Sequence, residues 1–486
     1  MKYVLGIDQS TQGTKALLFD EKGKLLCRTD KPHKQIINDK GWVEHDPNEI
    51  YSNTIQVVKD LVAKSGINKN DIAVLGISNQ RETSVCWEKS SGKPVYNAIV
   101  WQCSRAASIC EELQDYADSV HEKTGIKLSP YFPAAKLAWI FRNVKGISER
   151  SKNNEIAVGT IDSWLVYKLT HGRDFKTDYS NASRTQLFNI HKLEWDNDLL
   201  KLFGINNNCM AEITDSDGNY GETDFEGYLD KKIPICGVLG DSHGALFGQG
   251  CLTSGMVKAT YGTGSSVMMN IGENPVLNDN IVTSLAWKIN GKVNYALEGN
   301  INYTGAVITW LKDDLKLIEK PSETESLARE AKKSDKTYLV PAFSGLGAPY
   351  WHSHATACIV GMTRATGKNE VVRAALDCIV YQITDIINVM RNSAGIAINE
   401  LRVDGGPTRN GYLMQFQSDI LNIPVRIPDA EELSGIGAAY CAGISAGIYN
   451  DDVFNNLKRI SYEPEMNESE RKILYDGWKD AVKKAI

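Results

Sequence analysis

The chain has 486 residues, about three times the ~150-residue prior for one domain, so two or three separately cored domains are expected and a small stapled scaffold is excluded. Hydrophobic residues make up 42% and charged residues 23%, too apolar for a disordered chain, and 54 basic against 60 acidic side chains give a formal charge of −6 with no long block of either sign, which argues against nucleic acid as a partner. No apolar run approaches the ~18 residues that span a bilayer and the first apolar stretch is interrupted at Asp8, so no membrane partner and a cytoplasmic location are expected.

From Val4 the chain reads as an apolar β run, a polar turn Asp8-Gln9-Ser10-Thr11-Gln12-Gly13 and a second run to Phe19, with a further turn at residues 21–23 leading into a third run. A turn so rich in hydroxyls and backbone N–H donors suits a phosphate cradle, although ordinary hairpins carry such residues too. Asp46-Pro47-Asn48-Glu49 then combines an N-cap, a proline at the first helical position and a first-turn carboxylate, and residues 50–63 predict a helix. Residues 72–78 predict an apolar strand that ends in Asn79-Gln80-Arg81-Glu82-Thr83, with another strand over 84–87. An Arg–Glu pair between two buried strands is costly unless it is solvated or functional.

Residues 233–239 predict a strand opening into Gly240-Asp241-Ser242-His243-Gly244. The small residues there suit a helix packed closely on a sheet, and Asp241 alone would read as its N-cap. Residues 259–270 repeat the strand, hydroxyl/Gly turn and strand of the N-terminus around Gly262-Thr263-Gly264, so one architecture is expected twice. Residues 369–391 carry long helical periodicity, and 401–404 form a strand running into Gly405-Gly406, whose paired glycines let the backbone approach a flat or anionic ligand. A helical pattern follows to Leu421, and residues 435–447 form a small-residue helix. Two α/β domains facing a cleft, residues 1–250 and 251–486, are the natural arrangement. The ten cysteines are scattered without a C-x-x-C pair and read as reduced, packed thiols, and His352 and His354 lack a carboxylate or Cys at ligand spacing.

Several blocks in order carry a resemblance. Tyr131-Phe132-Pro133-Ala134-Ala135-Lys136 and Gly361-Met362-Thr363-Arg364 through Asp377 look like two family signatures, joined by Gly41-Trp42-Val43-Glu44-His45-Asp46-Pro47, Asn79-Gln80-Arg81-Glu82-Thr83, Asn97-Ala98-Ile99-Val100-Trp101-Gln102 and Thr177-Asp178-Tyr179-Ser180-Asn181-Ala182-Ser183-Arg184-Thr185. Together they resemble the FGGY carbohydrate kinases, the glycerol kinases most closely, from Tyr3 to about Lys484. The resemblance implies an α/β protein of two ribonuclease H-like domains of the actin and hexokinase superfamily flanking a catalytic cleft, with ATP and Mg²⁺ as cofactors, a small polyol or sugar as substrate, and a homodimer or tetramer as possible assemblies.

Carried over residue by residue, Thr11, Gln12, Gly13 and Lys15 fall on the first phosphate loop and Thr263 on the second, while Gly305, Thr309, Gly406 and Asn410 fall on adenosine- and phosphate-contacting positions. Lys15 stands where glycerol kinases usually have Arg, keeping the charge but losing the planar fork, and Thr309 replaces a usual Gln. Phosphoryl transfer needs in-line positioning, neutralisation of γ-phosphoryl charge and a carboxylate that accepts the attacking hydroxyl's proton. Asp241 is expected to be that base, with Asp8 and Asp241 facing Mg²⁺ largely through water. Arg81, Glu82, Trp101 and Tyr131 fall on polyol-contacting positions.

Two departures bear on specificity. Where glycerol kinases have Gln after the catalytic Asp this chain has Ser242, and where they have Phe after the second phosphate loop it has Ser266. Both remove bulk, and with His243 they are expected to offer polar partners to extra substrate hydroxyls. The expected activity is therefore ATP-dependent phosphorylation of a tetritol, pentitol or pentulose such as xylulose. An ordinary glycerol kinase is the first alternative, and an actin- or chaperone-like ATPase switch the alternative from another class. Residues 222–232 carry mixed charge rather than a Gly-rich basic loop, so control by fructose bisphosphate is not expected.

Overall fold

The computed structural model describes residues 2–486. Tyr3–Gln9 (β1), Gly13–Phe19 (β2) and Leu25–Pro32 (β3) form an antiparallel meander. The helix α1, Pro47–Ser65, starts where Asp46 accepts the Asn48 N–H at 2.8 Å and stops at Gly66, which adopts the left-handed conformation. Ile72–Asn79 (β4) joins β1 in parallel, and Glu222–Thr223 (β5) and Ile233–Gly240 (β6) complete a six-stranded sheet in the order β5-β6-β4-β1-β2-β3. At the end of β6, Asp241–Gly248 forms α2. Its N-cap is Gly240, so Asp241 is the first helical residue and not the cap that its sequence position alone suggests.

The second half repeats the scheme. Val257–Tyr261 (β7) and Ser265–Gly272 (β8) form the second hairpin, followed by Val282–Ile289 (β9), Lys292–Ile301 (β10) and the helix Gly305–Asp313 (α3). The 27-residue helix Lys368–Ala394 (α4) leads to Leu401–Asp404 (β11), Gly411–Leu421 (α5), Val425–Pro428 (β12), Leu433–Ser445 (α6) and Arg459–Tyr462 (β13). The seven strands run β9-β10-β8-β7-β11-β12-β13. From β10 to β13 the pairings are antiparallel, antiparallel, parallel, parallel and antiparallel, the same series that runs from β3 to β5 in the first sheet. The repeat read from the two hairpins is thus a duplicated ribonuclease H-like sheet with one extra edge strand, and the two-lobed α/β fold follows.

Each sheet has its own apolar core. A third core lies between them, built from Val4, Leu17, Phe19 and Val74 of the first sheet, Met268 and Ala296 of the second, and Leu246, Ile436 and Ala439 of α2 and α6. Although α6 comes late in the chain, it packs on the first sheet: a Cβ on Gly76 would lie 2.1 Å from the Ala438 carbonyl oxygen. The helices α2 and α6 cross at glycine, where a Cβ on Gly437 would come within 1.9 Å of the Gly244 carbonyl oxygen. Among the described residues no helix is long and apolar enough to cross a membrane.

Candidate active site

The β1–β2 turn delivers the first-lobe charges. Asp8 and Lys15 are cross-strand partners, so their side chains share one face, with Lys15 Nζ 3.7 Å from Asp8 Oδ2. Lys15 also donates to Glu432 Oε2 at 2.6 Å, and Arg28 pairs with the same carboxylate, which stands immediately before α6. Burial pushes the Asp8 carboxyl up to about 6; Lys15 opposes that rise, while Glu432 and Asp241 add to it. Gly13 is required in the turn because a Cβ there would sit 2.5 Å from the Lys31 carbonyl oxygen. Thr11 Oγ1 accepts the indole N–H of Trp101 at 2.9 Å, whereas Gln12 is exposed and its carbonyl takes the His33 N–H at 2.8 Å.

The second turn is tied to the start of α3. The carbonyl of Gly262 accepts the Gly305 N–H at 2.9 Å, and that of Thr263 accepts the N–H groups of Thr304 and Ala306 at 2.9 and 3.1 Å. Gly305, Thr309, Gly406 and Asn410 then line one cavity of about 430 Å³, together with the apolar Ile308, Leu376, Ile379 and Leu413. Asn410 there caps α5 by accepting the Leu413 N–H at 3.0 Å and donates to Thr324 at 3.1 Å.

A second cavity of about 790 Å³ lies between the lobes and brings together Asp8, Lys15, Arg81, Trp101, Tyr131, Asp241, Ser242, Thr263 and Ser266. Its first-lobe wall is closely packed. Trp101 and Tyr131 pack with ring centroids 5.5 Å apart at 58°, and the buried Lys136 holds the Tyr131 segment by donating to the Pro130 carbonyl at 2.7 Å and to the Tyr131 carbonyl. Asp241 Oδ1 accepts the Ser242 N–H at 2.6 Å and lies 3.1 Å from Arg81 Nε, while its side chain stays 36% exposed to the cleft.

Arg81 is held from the other lobe. Its two terminal nitrogens donate to both oxygens of Glu298 on β10, at 3.0 and 2.8 Å. Arg184 Nη1 lies 2.8 Å from the same carboxylate, and Arg184 Nε donates to Glu82 Oε1 at 2.6 Å. Burial works to raise the Glu298 carboxyl, but the Arg184 and Arg81 guanidiniums outweigh it and hold the group well below its ordinary value. Glu82, in the left-handed region at φ 59°, is buried under Arg184 and is not on the cavity wall. His243 is not there either: it is fully buried with Nε2 3.2 Å from Ser284 Oγ, which corrects the expectation that it lines the enlarged pocket. A different residue takes that place, Asn300, whose cross-strand partner is Ser266.

Sequence reading missed Arg184, Glu298, Glu432, Asn300 and Lys258. Arg184 lay inside a recognised block, and Glu298 is an isolated charge in the apolar strand Tyr295-Ala296-Leu297-Glu298-Gly299, which was a usable signal. For a metal, the described residues contain no cluster of three His, Cys, Asp or Glu side chains. The hard carboxylate oxygens of Asp8, lifted to about 6 by burial, and of Asp241 fit a divalent ion such as Mg²⁺ that completes its shell with water and phosphate oxygens.

Residues 3–248 match the N-terminal domain, and residues 257–446 the C-terminal domain, of the FGGY family of carbohydrate kinases. The chain is 50% identical over 490 residues to glycerol kinase 1 of Thermotoga maritima, covering 100% of this chain and 99% of that one. It superposes on Plasmodium falciparum glycerol kinase with ADP at a TM-score of 0.95 and 35% identity, covering 100% and 98%. A ligand-bound xylulose kinase from Lactobacillus acidophilus shares the fold at a TM-score of 0.88 and 22% identity, covering 99% of each chain.

Proposed function

The chain belongs to the FGGY family of carbohydrate kinases, and on that premise we propose that this ATP-dependent phosphotransferase takes as its acceptor a polyol or ketose longer than glycerol: a tetritol, a pentitol or a pentulose such as xylulose. The observation that carries this reading is the polar second-lobe wall of the 790 Å³ cavity, where Ser266 and Asn300 are cross-strand partners, in a cavity that Ser242 also lines. Ser266 Oγ donates to Glu298 Oε1 at 3.3 Å, so its lone pairs and the Asn300 amide are what this wall presents to the further hydroxyls of a longer acceptor.

Trp101 and Tyr131 present a hydrocarbon wall to the carbon skeleton, while Arg81, pinned by Glu298, offers its Nε edge toward Asp241. Asp241 accepts the proton of the attacking hydroxyl, and its orientation is fixed by the Ser242 N–H and by Arg81. Glu82 acts from behind the wall by holding Arg184. Thr11, Gln12 and Gly13 make the first phosphate turn, with Lys15 beside it on β2, and Thr263 belongs to the second; Gly305, Thr309, Gly406 and Asn410 hold the nucleoside. Asp8 and Asp241 would hold Mg²⁺, which would supply neutralisation of phosphoryl charge. In this reading residues 1–250 supply the acceptor's Arg81, Trp101, Tyr131 and Asp241 and the first phosphate loop, and residues 251–486 the nucleotide site together with the Ser266–Asn300 wall, in a cytoplasmic enzyme.

The second reading, an ordinary glycerol kinase, is favoured by the 50% identity to a protein of that name. The two are separated by kcat/KM for glycerol, erythritol, xylitol, ribitol and xylulose. The proposal expects at least one C4 or C5 compound to exceed glycerol by ~10–200-fold, with Ser242→Gln plus Ser266→Phe moving the preference back. Glycerol preferred over every longer compound makes the second reading correct. Both positions face one pocket, so the double variant is the appropriate test.

A further inference from the structure

Lys258 sits on β7, four residues before the second phosphate turn, and its side chain lies on the sheet face that floors the cleft. The residue is 1% exposed. Two residues on and on the same face, Thr260 accepts a hydrogen bond from Lys258 Nζ at 3.1 Å and donates its own to Asp404 Oδ1 at 2.9 Å. Asp404 ends β11 immediately before the Gly405-Gly406 turn of the nucleotide cavity, and Thr260 pairs across the sheet with Ser266 of the acceptor wall. Lys258 therefore lines the inter-lobe cavity and is linked, through Thr260 and Asp404, to the strand end that leads into Gly406 of the nucleotide cavity.

The cleft contains three cationic side chains, and their partners set them apart. Lys15 lies within 4 Å of two carboxylates, Asp8 and Glu432. Arg81 is paired with Glu298 and Asp241. Among the described residues Lys258 has no carboxylate within 4 Å, and its one hydrogen bond goes to a neutral hydroxyl. An ammonium has three donors, so two remain for a ligand. A buried cation without a counter-ion is expensive and is retained where a ligand supplies the opposite charge. Burial pushes the ammonium's pKa down, while the more distant Asp404, Glu298 and Asp241 work the other way.

We propose that Lys258 is a further catalytic residue of the kinase reaction, donating from its ammonium to the oxygens of the phosphoryl group in transit between ATP and the acceptor hydroxyl. The lysine keeps its protons throughout; the bond from the γ-phosphorus to the ADP oxygen breaks as the bond to the acceptor oxygen forms, and the acceptor's proton leaves to a separate base. The interaction is strongest when the group is detached from both oxygens, so it lowers the barrier rather than tightening either substrate. The inference rests on the kinase activity and not on the length of the acceptor.

The test uses the full chain with MgATP and with glycerol and xylitol in turn as acceptor. Lys258→Met should lower kcat by ~10²–10³-fold for whichever acceptor is turned over, with the KM values of ATP and acceptor within about three-fold of the parent. Calorimetric titration gives a readout apart from turnover. ADP alone should bind the variant as it binds the parent, while the tightening of ADP by aluminium fluoride in the presence of acceptor should be lost. Unchanged kcat, a loss expressed wholly as higher KM, or undiminished tightening by aluminium fluoride overturns the proposal. Should Lys258→Met fail to fold, Thr260→Val decides: freeing the ammonium from its anchor should lower kcat with KM preserved, and a variant as fast as the parent overturns it.

Discussion

Asp241 stands in the first turn of α2, where its carboxylate accepts the Ser242 N–H and pairs with Arg81 while remaining open to the cleft, so a shape-preserving amide is the replacement that leaves the helix start in place. Asp241→Asn keeps the shape and the contact with Ser242 but not the basicity; turnover should fall by ~10²–10⁴-fold with a melting temperature near the parent's, and near-normal turnover removes Asp241 from the role of base. A second residue-scale consequence is electrostatic. Asp377 on α4 is buried, accepts the Tyr412 hydroxyl at 2.8 Å, and has Arg373 Nε only at 3.9 Å. Burial raises its carboxyl to about 7 against an ordinary 3.8, and Arg373 and Tyr412 only partly oppose that. Between those values the folded chain holds a proton that the unfolded chain releases, so this group's contribution is complete below about pH 4 and is lost as the pH rises through about 7. Asp377→Asn should therefore gain stability relative to the parent as pH goes from 5 to 8, seen in paired melting curves; a pH-independent difference sinks the assignment.

At the scale of elements, the contact of α2 with α6 decides how the lobes meet. Glycines at 244, 248 and 437 let the two backbones touch: a Cβ at Gly248 would lie 2.2 Å from the Leu433 carbonyl oxygen, as one at Gly437 would approach Gly244. Backbone cannot yield as a flexible side chain can, so Gly437→Ala forces the helices apart. The expected cost is ~1–3 kcal/mol, and because α2 begins at Asp241 and α6 follows Glu432, the displacement reaches both the base and the partner of Lys15. Differential scanning calorimetry and steady-state assay of this variant should both register a loss. A parent-like melting temperature and kcat would show that the crossing has slack.

The whole molecule is two duplicated sheets joined through that crossing, with the Arg81–Glu298–Arg184 cluster bridging them at the bottom of the cleft. Acceptor and phosphates each meet residues of both lobes in the proposed function, so simultaneous binding should draw the lobes together and exclude water, which limits hydrolysis of ATP without acceptor. Small-angle scattering with acceptor and a non-hydrolysable ATP analogue should show a smaller radius of gyration than either ligand alone. An unchanged radius, or ATP turnover as fast without acceptor as with it, counts against this coupling.

Local pattern was enough for the elements that carry their own signals. The two strand–turn–strand hairpins, the Asp46-capped α1, the long α4 and the Gly405-Gly406 turn are set by residues adjacent in sequence, through period, capping and glycine geometry, and the matching blocks identified the family and the cleft's Arg81, Trp101, Tyr131 and Asp241. What the sequence left open are the pairings between distant segments. Arg81 meets Glu298 across 217 positions and Lys15 meets Glu432 across 417, and no local period encodes which strand faces which across a cleft. The same limit explains His243, whose neighbours in sequence line the pocket while its own side chain turns into the core against Ser284, and Lys258, whose lack of a counter-ion exists only once the two lobes and their carboxylates are in place. Charge at a site is a sum over everything packed around it, and that sum is fixed by tertiary structure.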